Sequence, residues 1–343
     1  MAKKICVLAS GGDAPGMNAC IEAFAFAAFS KGLEPYGAVK GYDGLIKNEI
    51  VQLIDRSRTH KGSLVSRENA RNVRGISGQC GSVLKCGRSP DFANPEGFNR
   101  ALATIQKHGF ATIVVIGGNG SFQGAACLKA AGVPVIAIPA TVDNDLFYTR
   151  HNLGFSSACE NAVQMVDMLK ATMQTNNRDH VVQLMGRHCP ALALKVGIAT
   201  FSDIVDIDGH RHTPQQAAQI LKQKRAQGSE SCTMIMQERK GADSIHEAIE
   251  SANYLRDLAI AANDNQIRMN TLGHLQRGAS VTAHDRWLGA NYGVMAVDLA
   301  INGQFGTAVG WIKDQFSAVS IETANNAKSN HHETEYQILS RLS

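Results

Sequence analysis

The chain has 343 residues, of which 44% are hydrophobic; it can bury a large core and is longer than most single domains, so we expect two domains. Its 34 basic and 30 acidic residues leave a formal charge of +4 without a block of like charges, which argues against nucleic acid as a partner and leaves small anionic substrates open. No stretch approaches the roughly 20 apolar residues of a membrane span, and the eight scattered cysteines lack a CxxC pair, as is typical of a cytoplasmic protein with free thiols.

Short apolar runs alternate with helical periodicity from the N-terminus onward. The strand ICVLA ends at SGGDAPGMN, and a helix rich in Ala and Phe follows. Phe98, Ala101, Leu102 and Ile105 then recur at the spacing i, i+3, i+4, i+7, which predicts an amphipathic helix. This helix leads into the strand ATIVVI, the turn GGNGS and a further helix from about Phe122.

The next apolar runs predict more strands of the same kind. VPVIAI (133–138) precedes the loop PATVDND, and VVQLM (181–185) and CTMIM (232–236) predict a second sheet. Strands that are apolar throughout and alternate with helices favour parallel sheets covered on both faces, so we predict an α/β fold. Residues 56–79 are polar, basic and rich in glycine, which predicts a long excursion over the surface.

Four predicted strands end in loops of unusual composition: SGGDAPG, GGNGS, PATVDND and MGR. In open α/β sheets, ligands bind beyond the carboxyl ends of the strands. Gly11, Gly12, Gly118 and Gly120 would let the backbone approach a polyphosphate closely and present N–H donors to it. One such turn often does no more than join a strand to a helix, whereas four together indicate a site.

The loop PATVDND contains two carboxylates, Asp143 and Asp145, with Asn144 between them. Residues two apart in an extended loop point the same way, so both side chains would face one cavity. One carboxylate could then accept a proton while the other holds a metal. An Asx-type turn with two solvated aspartates explains the loop equally well.

Six motifs together resemble those of the ATP-dependent phosphofructokinases: SGGDAPGMN, GYDGL, GGNGS, PATVDND, MGR and LGHLQRGA, in the family's order and spacing from Lys4 to about Gly310. The resemblance implies two similar domains with mainly parallel sheets covered by helices, and an active site in the cleft between them. It assigns 1–154 and 276–326 to a larger, nucleotide-binding domain, and 155–275 and 327–343 to a smaller, sugar-phosphate-binding domain. It also implies fructose 6-phosphate and ATP as substrates, Mg²⁺ as cofactor, and a homotetramer whose subunits complete one another's sites.

The resemblance assigns catalytic roles position by position. Asp143 matches the base that accepts the proton of the sugar 1-hydroxyl as it attacks the γ-phosphorus, which suits a reaction that depends on alignment and charge stabilisation. Thr141, Arg187 and Arg88 match residues at the transferring phosphoryl group, where the planar guanidinium binds phosphate oxygens in pairs.

The fructose 6-phosphate side of the family's site is retained. The matching residues from one subunit are Met185, Gly186, Glu238, His274 and Arg277, and those from a neighbouring subunit are Arg178 and Arg268. His274 alone is more often a structural histidine than a ligand contact, but the full set is difficult to explain by accident.

The nucleotide side is altered. The positions that match nucleotide contacts are Gly11, Gly12, Tyr42, Arg88, Gly118, Gly120, Ser121 and Gly124, and the metal positions are Asn119 and Asp145. Asn119 replaces the family's aspartate and offers a neutral oxygen without charge, so we expect a weakened Mg²⁺ site. Ser89 replaces an aromatic residue and Ala93 an arginine. Gly120 and Ala140 replace the acidic residue and the lysine of pyrophosphate-dependent relatives, so pyrophosphate is disfavoured as donor.

The bacterial effector site is also altered. Glu22 and Phe26 occupy its arginine positions, and the turn GSESC (228–232) replaces a lysine-rich turn, so we expect the site to be lost.

These departures leave two hypotheses. The first is an active kinase with altered metal use. The second is a non-catalytic sugar-phosphate-binding regulatory subunit that assembles with an active paralogue, which is motivated by Asn119, Ser89, Ala93, and by Pro190 and Ala191 in place of a glycine-aspartate pair. A third and weaker possibility is a related sugar phosphate as acceptor.

Overall fold

The computed structural model describes residues 3–54, 73–238, 244–278, 280–328 and 332–342. The chain divides into two compact units, Met1–Ser157 with Arg277–Ser329 and Ala158–Gln276 with Asn330–Ser343. Most of the predicted surface excursion, residues 56–72, lies outside the described residues. The assignment of one ligand to each domain stays a prediction.

Strands and helices alternate along most of the chain. The strands are β1 (Lys4–Ala9), β2 (Glu34–Ala38), β3 (Ile50–Gln52), β4 (Phe110–Gly117), β5 (Val135–Pro139), β6 (His180–Leu184), β7 (Ile204–Asp206), β8 (Thr233–Gln237), β9 (Arg268–Thr271), β10 (Thr307–Ile312) and β11 (Gln315–Ser320). The helices are α1 (Met17–Ser30), α2 (Tyr42–Lys47), α3 (Pro95–His108), α4 (Asn119–Ala130), α5 (Phe155–Asn176), α6 (Ala191–Ala199), α7 (Pro214–Ala226), α8 (Ser244–Ala262), α9 (Leu275–Gly278), α10 (Ala283–Ile301), α11 (Ile321–Asn326) and α12 (Glu333–Leu342).

The first unit is built on one mixed sheet. Its strand order over the described residues is β11-β10-β5-β4-β1-β2-β3. The pairs among β10, β5, β4, β1 and β2 are parallel, and β3 and β11 add antiparallel edges. Leu8, Val115 and Phe122 belong to its buried core. Because β1, β4 and β5 run in parallel, the loops that follow them leave from the same edge of the sheet.

Helix α10 holds the returning chain against the first unit. A Cβ on Gly289 would lie 2.8 Å from the Gly16 carbonyl oxygen, and one on Gly293 would lie 2.5 Å from the Cys20 carbonyl oxygen. Only glycine at these two positions lets α10 and α1 approach backbone to backbone.

The second unit is built on a smaller sheet. Its described strands follow the order β7-β8-β6-β9, and every pair is parallel. Val181, Ile204 and Met234 pack against Leu221 of α7 and Leu258 of α8 in its core. The prediction of mainly parallel α/β sheets is therefore confirmed for both units.

Local predictions agree with the structure except at one helix start. The amphipathic pattern around Phe98 corresponds to α3, and the four apolar runs correspond to β4, β5, β6 and β8. The start near Phe122 is wrong, because α4 begins at Asn119 with Gly118 as its N-cap. The Phe122 N–H already donates to the Gly118 carbonyl oxygen at 3.0 Å, which is the first helical hydrogen bond. All eight cysteines are free, and no described helix is long and apolar enough to cross a membrane.

Candidate functional site

Three of the predicted loops meet at the carboxyl edge of the first sheet. The Ser10 N–H, just after β1, donates to the Ile116 carbonyl oxygen of β4 at 2.9 Å. The Ala140 N–H, just after β5, donates to the Gly117 carbonyl oxygen at 3.0 Å. The loops SGGDAPG, GGNGS and PATVDND are therefore neighbours, held by backbone hydrogen bonds that extend the parallel ladder.

The two predicted metal residues are in direct contact. Asn119, the first residue of α4, donates from Nδ2 to Asp145 Oδ2 at 2.7 Å. Asn119 is exposed and Asp145 is partly buried. The amide nitrogen therefore occupies one carboxylate oxygen, whereas the Asn119 Oδ1 atom is the part of that side chain able to bind a cation. Nowhere in the described ranges do three or more His, Cys, Asp or Glu side chains gather as a metal site.

The loop that carries Asp143 and Asp145 is a turn. Asn144 has a φ of 55°, in the left-handed region, so of the two alternatives that the sequence left open the backbone adopts a turn and not an extended loop. Asn144 Oδ1 accepts from the Asn152 N–H at 2.9 Å and from Asn152 Nδ2 at 2.7 Å. The Asp143 N–H donates to Thr141 Oγ1 at 3.2 Å. These hydrogen bonds, and not strand alternation, set the directions of the two carboxylates.

Tyr42 and Gly124, both predicted nucleotide contacts, pack against each other. Tyr42 is 3% exposed, stacks on Phe92 at a centroid distance of 4.0 Å, and donates from its hydroxyl to the Ser121 carbonyl oxygen at 2.7 Å. A Cβ on Gly124 would lie 2.6 Å from the Tyr42 ring. Packing alone therefore explains both residues, and a nucleotide contact stays a prediction for them.

Polar contacts organise the segment that carries Arg88 and Ser89. The Gly11 N–H donates to the Gly87 carbonyl oxygen at 3.0 Å, which ties this segment to the first glycine loop. The Ser89 hydroxyl donates to Asp43 in the GYDGL motif. Arg88 is exposed, as is Ala93 in the 3₁₀ turn Pro90–Ala93. The serine that replaces the family's aromatic residue is thus part of an internal hydrogen bond.

Arg277 belongs to the first unit, although it was predicted to bind the sugar phosphate. Its Nη1 donates to the Asp13 carbonyl oxygen at 2.6 Å. A Cβ on Gly12 would lie 2.4 Å from the same nitrogen, so the guanidinium rests directly on the first glycine loop.

The carboxyl edge of the second sheet is organised by ion pairs around Arg187. Arg187 Nε lies 3.5 Å from Glu238 Oε1, and Nη2 donates to Glu247 Oε2 at 3.0 Å. Glu247 is held in turn by Gln183 Nε2 at 3.3 Å. Glu247 was not predicted; its only sequence signal is an acidic residue in the first turn of α8.

The loop after β7 contains a second charged cluster that sequence reasoning missed. Arg211 Nη1 donates to Asp206 Oδ2 at 3.0 Å, and Nη2 to Asp208 Oδ1 at 3.0 Å. The His212 N–H donates to Asp206 Oδ1 at 2.6 Å. Burial opposes ionisation of Asp206, but these hydrogen bonds from His212 and Arg211 outweigh it and hold its pKa below the ordinary value.

The remaining predicted sugar-phosphate residues of the second unit lie at two ends of its sheet. Met185, Gly186 and Glu238 directly follow β6 and β8, and the exposed His274 follows β9, so all four lie at the carboxyl edge. Arg178 precedes β6 and Arg268 begins β9, so both lie at the amino edge.

Both amino-edge arginines lie near His180. Burial, followed by the charges of Arg268 and Arg178, lowers the pKa of His180, which is paired with Arg268 in the sheet. Strands of this length span roughly 15 Å, so this pair of arginines and the carboxyl-edge set are far apart within the unit.

The predicted effector positions lie against residues 74–77 of the same chain. Glu22 accepts from the Gly75 N–H at 2.7 Å through Oε1 and from the Ser77 N–H at 2.9 Å through Oε2. The Arg74 guanidinium lies 5.9 Å from the centre of the Phe26 ring. Both side chains therefore anchor the segment that leads towards Arg88.

Comparisons with known proteins agree on one family. The model of the phosphofructokinase family matches residues 4–300. The ATP-dependent 6-phosphofructokinase of Streptococcus suis is 35% identical over 91% of this chain and 86% of its own length. That of Lactobacillus helveticus is 33% identical over 98% of this chain and 97% of its own length.

Solved structures agree with this result. Phosphofructokinase from Saccharomyces cerevisiae superposes with a TM-score of 0.76 at 27% identity; the match covers 99% of this chain but only 46% of the yeast chain. A pyrophosphate-dependent phosphofructokinase from Marinobacter aquaeolei superposes with a TM-score of 0.80 over 99% of this chain and 91% of its own, and at 18% identity it bears on the fold alone.

Proposed function

The chain belongs to the phosphofructokinase family, and we propose that it transfers the γ-phosphoryl group of ATP to the 1-hydroxyl of fructose 6-phosphate, giving fructose 1,6-bisphosphate as a step of glycolysis in the cytoplasm. The observation that carries this proposal is the match of almost the whole chain to relatives named ATP-dependent 6-phosphofructokinase. ATP is favoured over pyrophosphate as donor because Gly120 and Ala140 differ from the residues of the pyrophosphate-dependent relatives.

The geometry suits phosphoryl transfer with Asp143 as the base. Asp143 follows β5 in a turn fixed by Asn144 and Asn152, and would accept the proton of the 1-hydroxyl as that oxygen attacks. Arg187 and Arg88 would stabilise the charge of the transferring group, and the Thr141 hydroxyl adds a hydrogen bond there. Positioning and charge account for most of the rate in reactions of this class.

The metal site of this chain fits Mg²⁺ with fewer charges than the family's site. Asp145 offers a carboxylate and Asn119 an amide oxygen, and such sites commonly use one or two carboxylates with the nucleotide phosphates. When bound, Mg²⁺ neutralises charge on the phosphates. Because Asp145 Oδ2 already accepts the Asn119 N–H, a cation there competes with that hydrogen bond. We therefore propose a weakened Mg²⁺ site.

We propose a homotetramer in which neighbouring subunits share sites, as the family resemblance implies. Arg178 and Arg268 lie at the amino edge of the second sheet, away from Glu238 and His274 at its carboxyl edge. Arginines that serve a neighbour's sugar phosphate would have to be placed apart from the set of their own subunit. A hetero-oligomer with a paralogue would use the same arrangement.

The non-catalytic alternative rests on Asn119, Ser89, Ala93, Pro190 and Ala191. None of these substitutions removes the proposed base or Arg187, so the family match favours the enzyme. The assay described next also tests whether a related sugar phosphate is the phosphoryl acceptor.

A coupled assay with ATP, Mg²⁺ or Mn²⁺ and fructose 6-phosphate tests the proposal, with calorimetric titration of each substrate beside it. We expect turnover that depends on both substrates. Binding of fructose 6-phosphate without turnover under any metal would support the regulatory subunit, and turnover of another sugar phosphate alone would reassign the acceptor. The Asp143→Ala variant is the matched negative control.

A further inference from the structure

The turn that carries Arg187 is closed through one carbonyl oxygen. The Gly186 oxygen accepts the Cys189 N–H at 3.0 Å, which folds residues 186–189 into a tight turn. Gly186 has a φ of 116°, and a Cβ there would lie 2.7 Å from the Cys189 carbonyl oxygen. The turn therefore requires glycine at 186, and its geometry determines where the Arg187 side chain starts.

A buried glutamine makes the second contact to the same oxygen. Gln237 is the last residue of β8 and is fully buried. Its Nε2 donates to the Gly186 carbonyl oxygen at 2.5 Å, and its Oε1 accepts the Asp208 N–H at 2.8 Å. Because β8 lies between β7 and β6, one carboxamide joins the loops that follow both neighbouring strands.

The backbone of Gln237 is held as firmly as its side chain. Arg211 Nη1 donates to the Gln237 carbonyl oxygen at 2.9 Å, and the same nitrogen pairs with the buried Asp206. The next residue, Glu238, donates its N–H to the Leu184 carbonyl oxygen at 2.8 Å. The end of β8 is thus a fixed point from which the carboxamide reaches Gly186.

Burial of the Gln237 carboxamide has a free-energy cost that an apolar side chain would avoid. A buried amide must find partners at both ends to offset its desolvation, and an apolar side chain of similar volume would pack without that demand. What the amide adds is direction, since its nitrogen and oxygen each fix one loop.

We propose that Gln237 is a positioning residue for phosphoryl transfer, because it holds the Gly186–Cys189 turn in the geometry that presents Arg187 to the transferring group. The inference rests on the proposed role of Arg187.

Gln237→Glu is the sharpest test, because the two side chains have the same shape. The ionised glutamate would place an oxygen anion against the Gly186 carbonyl oxygen and open the turn. The protonated glutamate would donate its O–H to that oxygen and still accept from Asp208. Burial raises the pKa of such a carboxyl, so its protonated form increases as the pH falls from 8.5 to 6.

We expect kcat of Gln237→Glu to be about tenfold to a hundredfold below wild type at pH 8.5, as for small misplacements of a catalytic group. The ratio to wild type should recover towards pH 6. Because Gly186 is also assigned to the fructose 6-phosphate site, the KM for that substrate should rise at pH 8.5 and recover in parallel. Gln237→Leu is the matched control and should show a deficit that does not recover at low pH. Asp208 and Arg211 contact Gln237, and His332 Nε2 lies 3.5 Å from the Cys189 Sγ atom of the turn. These titratable residues are present in every variant, so the ratio to wild type isolates residue 237.

Hydrogen exchange gives a readout that does not depend on turnover. Peptides covering 184–192 should exchange faster in Gln237→Glu than in wild type at pH 8.5, and the difference should shrink at pH 6. Unchanged exchange, or a faster exchange with wild-type kcat, would overturn the inference. A wild type without turnover would reject the proposed kinase function instead, and the exchange experiment would still decide whether Gln237 holds the turn.

Discussion

The carboxyl edges of the two sheets hold their polar groups by different means. At the first edge, loops are tied by backbone hydrogen bonds, and a hydrogen bond joins the exposed Asn119 to the partly buried Asp145. At the second edge, Arg187 is paired with Glu238 and Glu247, and a fully buried glutamine joins the loops.

The difference indicates which edge tolerates change. Exposed groups exchange contacts with water at small cost, so one amide for one carboxylate alters the charge of the first edge without disturbing its fold. Buried charges and amides at the second edge depend on every partner, because leaving one unsatisfied costs its full desolvation. Asn119, which we propose weakens the Mg²⁺ site, lies at the first edge.

The largest effect is expected from the base at the first edge. Asp143→Ala should lower kcat by about two to four orders of magnitude, because the proton of the 1-hydroxyl loses its acceptor. Affinity for fructose 6-phosphate, measured by calorimetry, should change little. Asp145→Ala is the control, and we expect this variant to need more Mg²⁺ for its half-maximal rate. Near wild-type kcat in Asp143→Ala would remove this residue from the chemistry.

The next effect concerns the second unit and its neighbour. Arg268→Ala should weaken fructose 6-phosphate binding by roughly tenfold to a hundredfold, since a charged hydrogen bond to phosphate contributes about 1.5–3 kcal/mol. Mixing this variant with Asp143→Ala under subunit exchange should restore part of the activity. Some sites then contain an intact Asp143 from one subunit and an intact Arg268 from its neighbour. Absence of recovery in verified mixed oligomers would place each site within one subunit.

A smaller effect is expected from Asn119→Asp. The added charge should lower the Mg²⁺ concentration for half-maximal rate by roughly tenfold to thirtyfold, because two unit charges 4 Å apart in water interact by about 1 kcal/mol and a divalent ion doubles this to about 2 kcal/mol. Turnover should rise while fructose 6-phosphate affinity stays constant. Asn119→Ala controls for loss of the hydrogen bond to Asp145. An unchanged metal dependence in Asn119→Asp would show that the first edge does not set it.

The last prediction is that three effector ligands have no regulatory effect. ADP, GDP and phosphoenolpyruvate should leave the fructose 6-phosphate saturation curve unchanged at constant ATP and Mg²⁺, once direct competition at the active site is subtracted. Glu22 presents a carboxylate that repels phosphate and already binds the Gly75 and Ser77 N–H groups. A cooperative curve that these ligands reset would contradict this prediction.

The strands could be predicted from sequence, because buried parallel strands are apolar along their whole length. β5 and most of β4 are examples. The start of α4 could not, since GGNGS is rich in residues that usually favour a turn, yet Gly118 is the N-cap and its carbonyl oxygen accepts the Phe122 N–H. The sequence left a turn and an extended loop at Asn144 as equal alternatives, because Asn152, which fixes the turn, lies outside the motif.

The candidate site could be predicted only as far as its motifs extend. Family resemblance located Asp143 and Arg187, and the structure then brought Asn119 against Asp145. Glu247 and Gln237 could not be predicted, because the role of a glutamate or a glutamine depends on partners that only the folded chain brings together. Assigning the sugar-phosphate and nucleotide roles to individual residues stays a prediction that the variants above test.

The order in which the strands join the first sheet has a consequence for biosynthesis. β5 pairs with β10 through Ile136 and Ala137, yet β10 is translated only after the whole of 158–276. A nascent chain therefore carries β5 as an open apolar edge for a time on the order of ten seconds, at typical rates of synthesis. Exposed strand edges pair with other chains, so a polypeptide released before residue 307 should aggregate. A polypeptide released after residue 320 includes the β10–β11 hairpin, which covers the edge of β5.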